Sequence, residues 1–412
     1  MTQRWARPAF VAAGVVVAAA VLVAVVNGAI ASDEVETAAT TTRPAAPSPA
    51  EITSFTLATD LVDTGAPGGE LADDRSTPKV NVLLPEGYHD DLEEQFPVLW
   101  LLHGAAHGVD AWADGIEELA DDMGAIVVMP DGGRYGMYAD WFSDGERGDP
   151  AWATFHLETL RDEIESRFRV RDGRQWHALA GVSMGGQGAL RYAAMLPGYF
   201  GSVATFSAAM PDMQSPIAEV QVDQLARGAA TYEDVFGPPD GAYAEGSSPA
   251  ALVSNLEHTR VFVTSGDGTN CAEDPVNDES IANDGAIETV ISREQASFVE
   301  AALAAGVDVT ASTTCGVHTF GVWDRAFLAA REWDFFEAVP EAPEQWSFRT
   351  VATTGEVWGL PYSFAEPPTD VVSISRTGHT LRAEGTGALT LGDGDCRISG
   401  RLPFSATLPT GC

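Results

Sequence analysis

Gly181-Val182-Ser183-Met184-Gly185-Gly186 sets one serine among glycines. The apolar residues 176–180 before this stretch predict a buried strand, and residues 187–196 after it predict a helix. Glycines suit the turn between them because a sharp strand-to-helix turn brings neighbouring backbone too close for side chains. A serine on such a turn lies at the N-terminus of a helix, where free N–H groups favour negative charge. The stretch therefore predicts a nucleophilic serine for acyl transfer.

Apolar runs alternate with helical patterns along much of the chain. Besides the strand before Ser183, the runs cover residues 80–84, 98–102, 125–129, 202–206, 261–264 and 307–310. Continuous Val, Leu and Ile runs are typical of strands buried on both faces, as in parallel sheets. Residues 112–122, 153–168 and 289–305 have the spacing of helices. The sequence therefore predicts an α/β fold with a mostly parallel, doubly wound sheet.

The two ends of the chain differ in composition from residues 51–338, which we assign to the catalytic domain. Residues 1–31 combine Arg4 and Arg7 with an apolar run and a small-residue ending, which predicts a signal peptide; an uncleaved membrane anchor is the alternative. Residues 32–50 are rich in Ala, Thr and Pro and predict a disordered tether. We therefore expect a secreted or cell-envelope protein.

Residues 339–412 are rich in Thr, Gly and Ser and contain short alternating segments, as at 371–375 and 380–383. This pattern predicts a small β-rich C-terminal module. Its role is interpreted as structural, with carbohydrate or cell-wall binding as the alternative.

Charge narrows the range of partners. The chain has 60 acidic and 23 basic residues, giving a net charge of -37, so nucleic acid would be repelled. Asp274, Asp278 and Asp284 do not complete a calcium-binding pattern and are interpreted as solvated charges in a loop. No Cys-x-x-Cys spacing indicates a metal. We therefore predict neither a metal nor any other cofactor.

All four cysteines follow the export segment. An oxidising compartment favours disulfides, and each bridge stays within one predicted domain if Cys271 pairs with Cys315 and Cys396 pairs with Cys412.

A serine hydroxyl needs a base, and in this type of site the acid and the histidine follow the serine in the chain. Two of the later histidines are excluded as the base. His258 immediately precedes a predicted strand and so lies at the wrong end of the sheet, and His379 lies in the tail. His318 lies in the loop after the last strand of the sheet, at the edge where ligands gather, and is the predicted base. Local reasoning favours Asp267 as the acid, because it directly follows a strand, and leaves Glu288 as the alternative.

Two backbone N–H groups are candidates for holding an oxyanion. Met184 follows the serine directly, and Ala105 lies in the loop after strand 98–102. His103 in the same loop is interpreted as a residue that supports the loop.

Three segments together resemble the esterase D superfamily of α/β-hydrolases: residues 84–88, 97–104 and 181–186. This superfamily includes feruloyl esterases, S-formylglutathione hydrolases and the secreted mycolyltransferases of the antigen 85 type. The resemblance runs from about Phe55 to Phe336 and implies an α/β-hydrolase fold. It also implies a serine esterase or acyltransferase that acts on carboxylic esters, among them lipids or glycolipids of the cell envelope. The acyl group would pass to water or to a sugar or glycerol hydroxyl; a catalytically silent envelope-binding protein is the alternative.

Further segments are similar to the mycolyltransferases in particular. Residues 128–133 and 138–142 are similar to the segment that lines the acyl and sugar site, and residues 318–323 resemble the motif His-Ser-Trp-x-x-Trp. The family uses a Glu at the start of the corresponding helix, so the resemblance favours Glu288 as the acid. The residues implied to contact substrate are His103, Gly104, Asp140, Trp141 and Phe320.

The chain departs from the mycolyltransferases at one loop. Residues 103–106 read His-Gly-Ala-Ala where those enzymes have Asp-Gly-Leu-Arg, and that arginine helps to shape the sugar site. The His-Gly form resembles the hydrolytic members instead. This departure argues against trehalose recognition and favours water as the acceptor.

Overall fold

The computed structural model describes residues 46–62, 77–113, 115–120, 122–143, 148–226, 230–409 and 411. The predicted signal peptide, most of the predicted tether and Cys412 lie outside these residues. Among the described residues, no helix combines the length and the apolar character needed to cross a membrane. The described residues from Pro47 onward belong to one compact unit.

Within the described residues, ten strands precede residue 337: β1 (Glu51–Thr56), β2 (Lys79–Leu84), β3 (Val98–Leu102), β4 (Ile126–Pro130), β5 (Asp140–Trp141), β6 (Gly148–Ala151), β7 (His177–Val182), β8 (Ser202–Phe206), β9 (Arg260–Gly266) and β10 (Val309–Thr314). The central sheet has the order β1-β2-β4-β3-β7-β8-β9-β10, and β5 pairs with β6. Strands from β4 to β10 in that order run parallel, whereas β2 pairs antiparallel with both of its neighbours, β1 and β4. The predicted α/β fold with a mostly parallel sheet is confirmed. The antiparallel direction of β2 was not predicted, because a strand buried on both faces has the same apolar run whichever way it pairs.

The α-helices of the described residues are α1 (Ile116–Leu119), α2 (Trp152–Thr154), α3 (Arg161–Arg167), α4 (Met184–Met195), α5 (Pro216–Ala226), α6 (Tyr232–Phe236), α7 (Ala242–Glu245), α8 (Asp278–Ala304) and α9 (Phe320–Trp333). A π-helical stretch, Phe155–Leu160, joins α2 to α3. Side chains of β3 alternate between two apolar cores: Trp100 packs in one, and Leu99 and Leu101 pack in the other. The sheet therefore has a buried core on each face, as a doubly wound fold requires.

Helix α8 begins much earlier than the predicted residue 289. The side-chain oxygen of Asn277 caps it by accepting a hydrogen bond from the Ser280 N–H at 2.9 Å. Asp278 lies in the first turn, where negative charge is stabilised. The prediction that Asp278 and Asp284 lie in a solvated loop is therefore wrong, because both belong to the helix. Glu288 lies about three turns inside α8, not at its start.

The described C-terminal residues contain eight further strands: β11 (Gln345–Thr350), β12 (Thr354–Val357), β13 (Leu360–Phe364), β14 (Val372–Thr377), β15 (Thr380–Glu384), β16 (Ala388–Leu391), β17 (Ile398–Arg401) and β18 (Phe404–Thr407). They form two four-stranded antiparallel sheets around their own apolar core, which includes Trp346 and Phe348. The predicted β-rich module is confirmed. The Asn255 side chain bonds both the N–H and the C=O of Arg349 at 2.8 Å, and these bonds attach the module to the α/β part.

Candidate active site

Ser183 lies on a strained turn between β7 and α4. Its φ is +54°, in a region that non-glycine residues rarely adopt. A side chain at Gly181 would overlap the Gly185 backbone, and one at Gly185 would meet the carbonyl oxygens of Leu102 and His103. The glycines of the opening stretch therefore allow the close approach that puts Ser183 at the carboxyl end of β7.

The structure brings Ser183, His318 and Glu288 together. His318 Nε2 lies 3.0 Å from Ser183 Oγ, and His318 Nδ1 lies 2.7 Å from Glu288 Oε2. A carboxylate only accepts hydrogen bonds, so Nδ1 carries the ring proton when His318 is neutral. Nε2 is then free to accept from the Ser183 hydroxyl, which is the arrangement of a serine activated by a base.

Glu288 is fully buried, and its second carboxylate oxygen is also occupied. Oε1 accepts hydrogen bonds from Ser207 Oγ at 2.5 Å and from the Gly266 N–H. These two bonds fix the carboxylate so that Oε2 faces His318. Asp267, the alternative acid, is exposed and bonds Thr269 instead, at 2.8 and 2.6 Å. The structure therefore does not bring Asp267 to His318.

The loop after β3 is held by His103. The Gly132 N–H donates to His103 Nε2 at 3.0 Å, so the ring proton is on Nδ1, which donates to the Gly104 carbonyl at 2.9 Å. The N–H and C=O of a trans peptide point in opposite directions, so this bond also fixes the direction of the Ala105 N–H. His103 is 1% exposed. This position fits a role in supporting the loop, and the side chain has no exposed surface that a substrate could contact.

A cavity of about 310 Å³ opens beside Ser183. Its lining includes two of the residues predicted to contact substrate, Gly104 and Phe320, and also Ala105. Asp140 and Trp141 are not among its described lining residues. The Asp140 carboxylate accepts from the N–H and Oγ1 of Thr154 at 2.9 and 2.7 Å and borders a separate cavity of about 660 Å³ next to the C-terminal module. Burial raises the pKa of Asp140.

Sequence reasoning did not identify His107, which also lines the cavity beside Ser183. Burial lowers its pKa, and the nearby His103, His318 and Arg134 lower it further. The one signal in the sequence is its position four residues after His103, in the loop that carries Ala105.

The predicted Cys271–Cys315 disulfide is present. It joins the segment after β9 to the segment between β10 and His318. Cys412 lies outside the described residues, so the pairing of Cys396 with Cys412 stays a prediction. Among the described residues, Cys271, Glu273 and Cys315 have side-chain atoms close enough to share a metal ion. Both sulfurs belong to the disulfide, so they are not thiolate ligands.

Curated relatives are similar to this chain over part of their length. Esterase Rv1288 of Mycobacterium tuberculosis (strain ATCC 25618 / H37Rv) is 33% identical over 253 residues, which cover 59% of this chain and 53% of the relative. Diacylglycerol acyltransferase/mycolyltransferase Ag85B of Mycobacterium leprae (strain TN) is 33% identical over 186 residues, which cover 42% and 56%. The matches thus span about half the length of these relatives.

Solved structures of similar fold include MPT51 (FbpC1) of Mycobacterium tuberculosis, with a TM-score of 0.52 and 21% identity over 70% of this chain and 99% of that one. The serine hydrolase FphF of Staphylococcus aureus has a TM-score of 0.52 and 18% identity over 70% and 100%. These likenesses and the parallel sheet identify the fold as that of the α/β-hydrolases. A family model described as putative esterase matches residues 75–333. The chain therefore belongs to this esterase family, which confirms the resemblance seen in the sequence.

Proposed function

We propose that this protein is a serine carboxylic-ester hydrolase or acyltransferase whose nucleophile is Ser183. The observation that carries the proposal is the hydrogen-bonded series from Ser183 Oγ through His318 to Glu288, at 3.0 and 2.7 Å, on a turn with positive φ. Membership of the esterase family supports the reaction class.

The proposed reaction has two halves. Ser183 Oγ attacks the ester carbonyl carbon while His318 Nε2 takes its proton, and Glu288 stabilises the imidazolium that forms. His318 then gives this proton to the leaving alcohol, which departs and leaves an acyl group on Ser183. In the second half an acceptor hydroxyl gives its proton to His318 Nε2 and attacks the acyl-enzyme. Return of the proton to Ser183 Oγ restores the starting state.

The oxyanion that forms in each half needs preorganised donors. Met184 and Ala105 are the proposed source, because within the described part of the chain neither backbone N–H has a hydrogen-bond acceptor. His103 acts as a positioning residue here, since its bond to Gly104 aims the Ala105 N–H.

The substrate is proposed to be a lipid or glycolipid ester of the cell envelope. Phe320 and Trp323 give the cavity aromatic walls, and the names of the relatives include both an esterase and a diacylglycerol acyltransferase. Export, through the N-terminal pattern of residues 1–31, belongs to the same proposal. So does the division into a catalytic domain of residues 51–338 and a module of residues 339–412 with cell-wall association.

The test is turnover of p-nitrophenyl esters of increasing chain length by wild type and by Ser183→Ala, with water alone and with added trehalose or glycerol. We expect turnover that is lost in Ser183→Ala, and the acylated product identifies the acceptor. Activity that survives Ser183→Ala would refute the mechanism. Absence of turnover in wild type, with no labelling of Ser183 by a fluorophosphonate, would instead support a silent envelope-binding protein.

A further inference from the structure

His107 shares one wall of the cavity with His318. Its ring packs against Phe320, with centroids 5.4 Å apart, and against Trp323 at 6.3 Å. The ring of His318 meets the same indole edge-on at 5.0 Å. Two histidines therefore pack on one aromatic residue beside Ser183.

The two ring nitrogens of His107 have different surroundings. Nδ1 is buried and has no hydrogen-bond partner among the described residues. Nε2 also has no hydrogen-bond partner among the described residues, but unlike Nδ1 it is not fully buried, so a molecule in the cavity can reach it. The lowered pKa leaves the ring neutral at pH 7, with a single proton. That proton belongs on Nε2, because a buried N–H at Nδ1 would lose its hydrogen bonds to water without replacement.

The geometry of the proposed reaction determines which part of the substrate lies against the cavity wall that contains His107 and His318. The carbonyl oxygen of the ester is directed to the N–H groups of Met184 and Ala105. The oxygen of the leaving or attacking alcohol must reach His318 Nε2, because that nitrogen exchanges a proton with it. The wall that contains His318 therefore faces the alcohol part of the substrate, and His107 is the other histidine of that wall.

We propose that His107 forms a subsite for a polyhydroxylated alcohol, in which its Nε2–H donates a hydrogen bond to an oxygen other than the reacting hydroxyl. The inference rests on the proposed acyl transfer by Ser183 and deepens it. Water has no second oxygen to occupy the subsite. The subsite therefore favours acyl transfer to a polyol over hydrolysis and over transfer to a monohydric alcohol, which is the opposite of the preference for water that residues 103–106 led us to expect from the sequence.

The experiment measures acyl partition. With p-nitrophenyl butyrate as donor and glycerol and 1-propanol as competing acceptors at equal concentration, chromatography gives the ratio of glyceryl to propyl butyrate. We expect wild type to favour glycerol, and His107→Phe to lower the ratio by about tenfold, the effect of losing one hydrogen bond in the transition state. His107→Gln keeps an N–H donor and is expected to restore most of the ratio. His379→Phe is the matched control, because His379 is exposed on the C-terminal module.

The ratio separates the two proposals. A wild type that does not favour glycerol, or a His107→Phe variant with the wild-type ratio, would overturn the subsite while leaving the proposed reaction intact. An equal fall in His107→Phe and His107→Gln would assign the loss to shape and would also overturn it. Turnover that persists in Ser183→Ala would overturn the proposed function, and the subsite with it.

Discussion

Replacement of Glu288 by glutamine should reverse the tautomer of His318. Glu288 Oε1 accepts two hydrogen bonds, from Ser207 Oγ and from the Gly266 N–H. In Glu288→Gln the amide oxygen must take this position, because an NH₂ group there would face the Gly266 N–H. The NH₂ group then faces His318 Nδ1. Because this group only donates, Nδ1 must be unprotonated to accept a hydrogen bond from it. The ring proton moves to Nε2, so His318 can no longer accept the Ser183 proton.

The expected cost is large although the shape is conserved. In a serine protease, the same change of tautomer lowers kcat by about 10⁴, which corresponds to about 5 kcal/mol of transition-state stabilisation. We expect a loss of this order in Glu288→Gln, with little change in KM. The loss should be in chemistry and not in folding, because the amide keeps the bonds to Ser207 and Gly266.

The assay is steady-state hydrolysis of p-nitrophenyl butyrate, with thermal unfolding as the control for folding. Asp267→Asn is the matched variant, because Asp267 is exposed and bonds only Thr269 among the described side chains. We expect it to keep nearly wild-type kcat. Retention of more than about one-tenth of wild-type kcat by Glu288→Gln would refute the tautomer argument. A loss of kcat in Asp267→Asn that exceeds the loss in Glu288→Gln would identify Asp267 as the acid instead.

Three further predictions concern the surroundings of the site. Burial lowers the pKa of His177 to about 4, so between about pH 6 and 4 the unfolded state binds a proton that the folded state does not, and the free energy of unfolding falls by about 1.4 kcal/mol per pH unit on acidification. Urea titrations at several pH values should show that the free energy of unfolding of His177→Phe falls less steeply with pH than that of wild type. Equal dependence on pH in the two proteins would contradict this prediction. The Cys271–Cys315 bridge spans a sequence separation of 44 and is worth about 4 kcal/mol by loop entropy. Mild reduction should lower ester turnover before the fold melts, and unchanged turnover with both thiols free would defeat this expectation. His103→Leu should lower kcat by about 10² with little effect on KM, because the Ala105 N–H loses its orientation; an unaltered kcat in the folded variant would show that the loop is held by other contacts.

The sheet was largely predictable from the sequence because runs such as 98–102 and 125–129 are continuously apolar. The helices were less so. Residues 112–122 predict a longer helix than the observed α1, and the start of α8 was missed because its acidic first turns contain Gly285 and carry little apolar periodicity. The Asn277 cap of α8 is a local signal that apolar periodicity does not include, and packing, which no local pattern contains, also affects such boundaries.

The site was predictable where chain order and the turn constrain it. Ser183 is marked by its glycines and His318 by its position after the last strand. Glu288 could not be chosen by local reasoning, because its approach to His318 depends on how α8 passes over the end of β9, where the Gly266 N–H holds the carboxylate. His107 was not recognised, since a lone loop histidine reads as a surface residue until the packing of Phe320 and Trp323 is known.

The reaction of Ser183 with a fluorophosphonate tests the central claim most directly. The native protein would be treated with the probe, digested and examined by mass spectrometry. The account predicts one equivalent of label on the peptide that contains Ser183, and none in Ser183→Ala or after denaturation. Label on a different residue, or ester turnover by native protein in which Ser183 stays unlabelled, would contradict it.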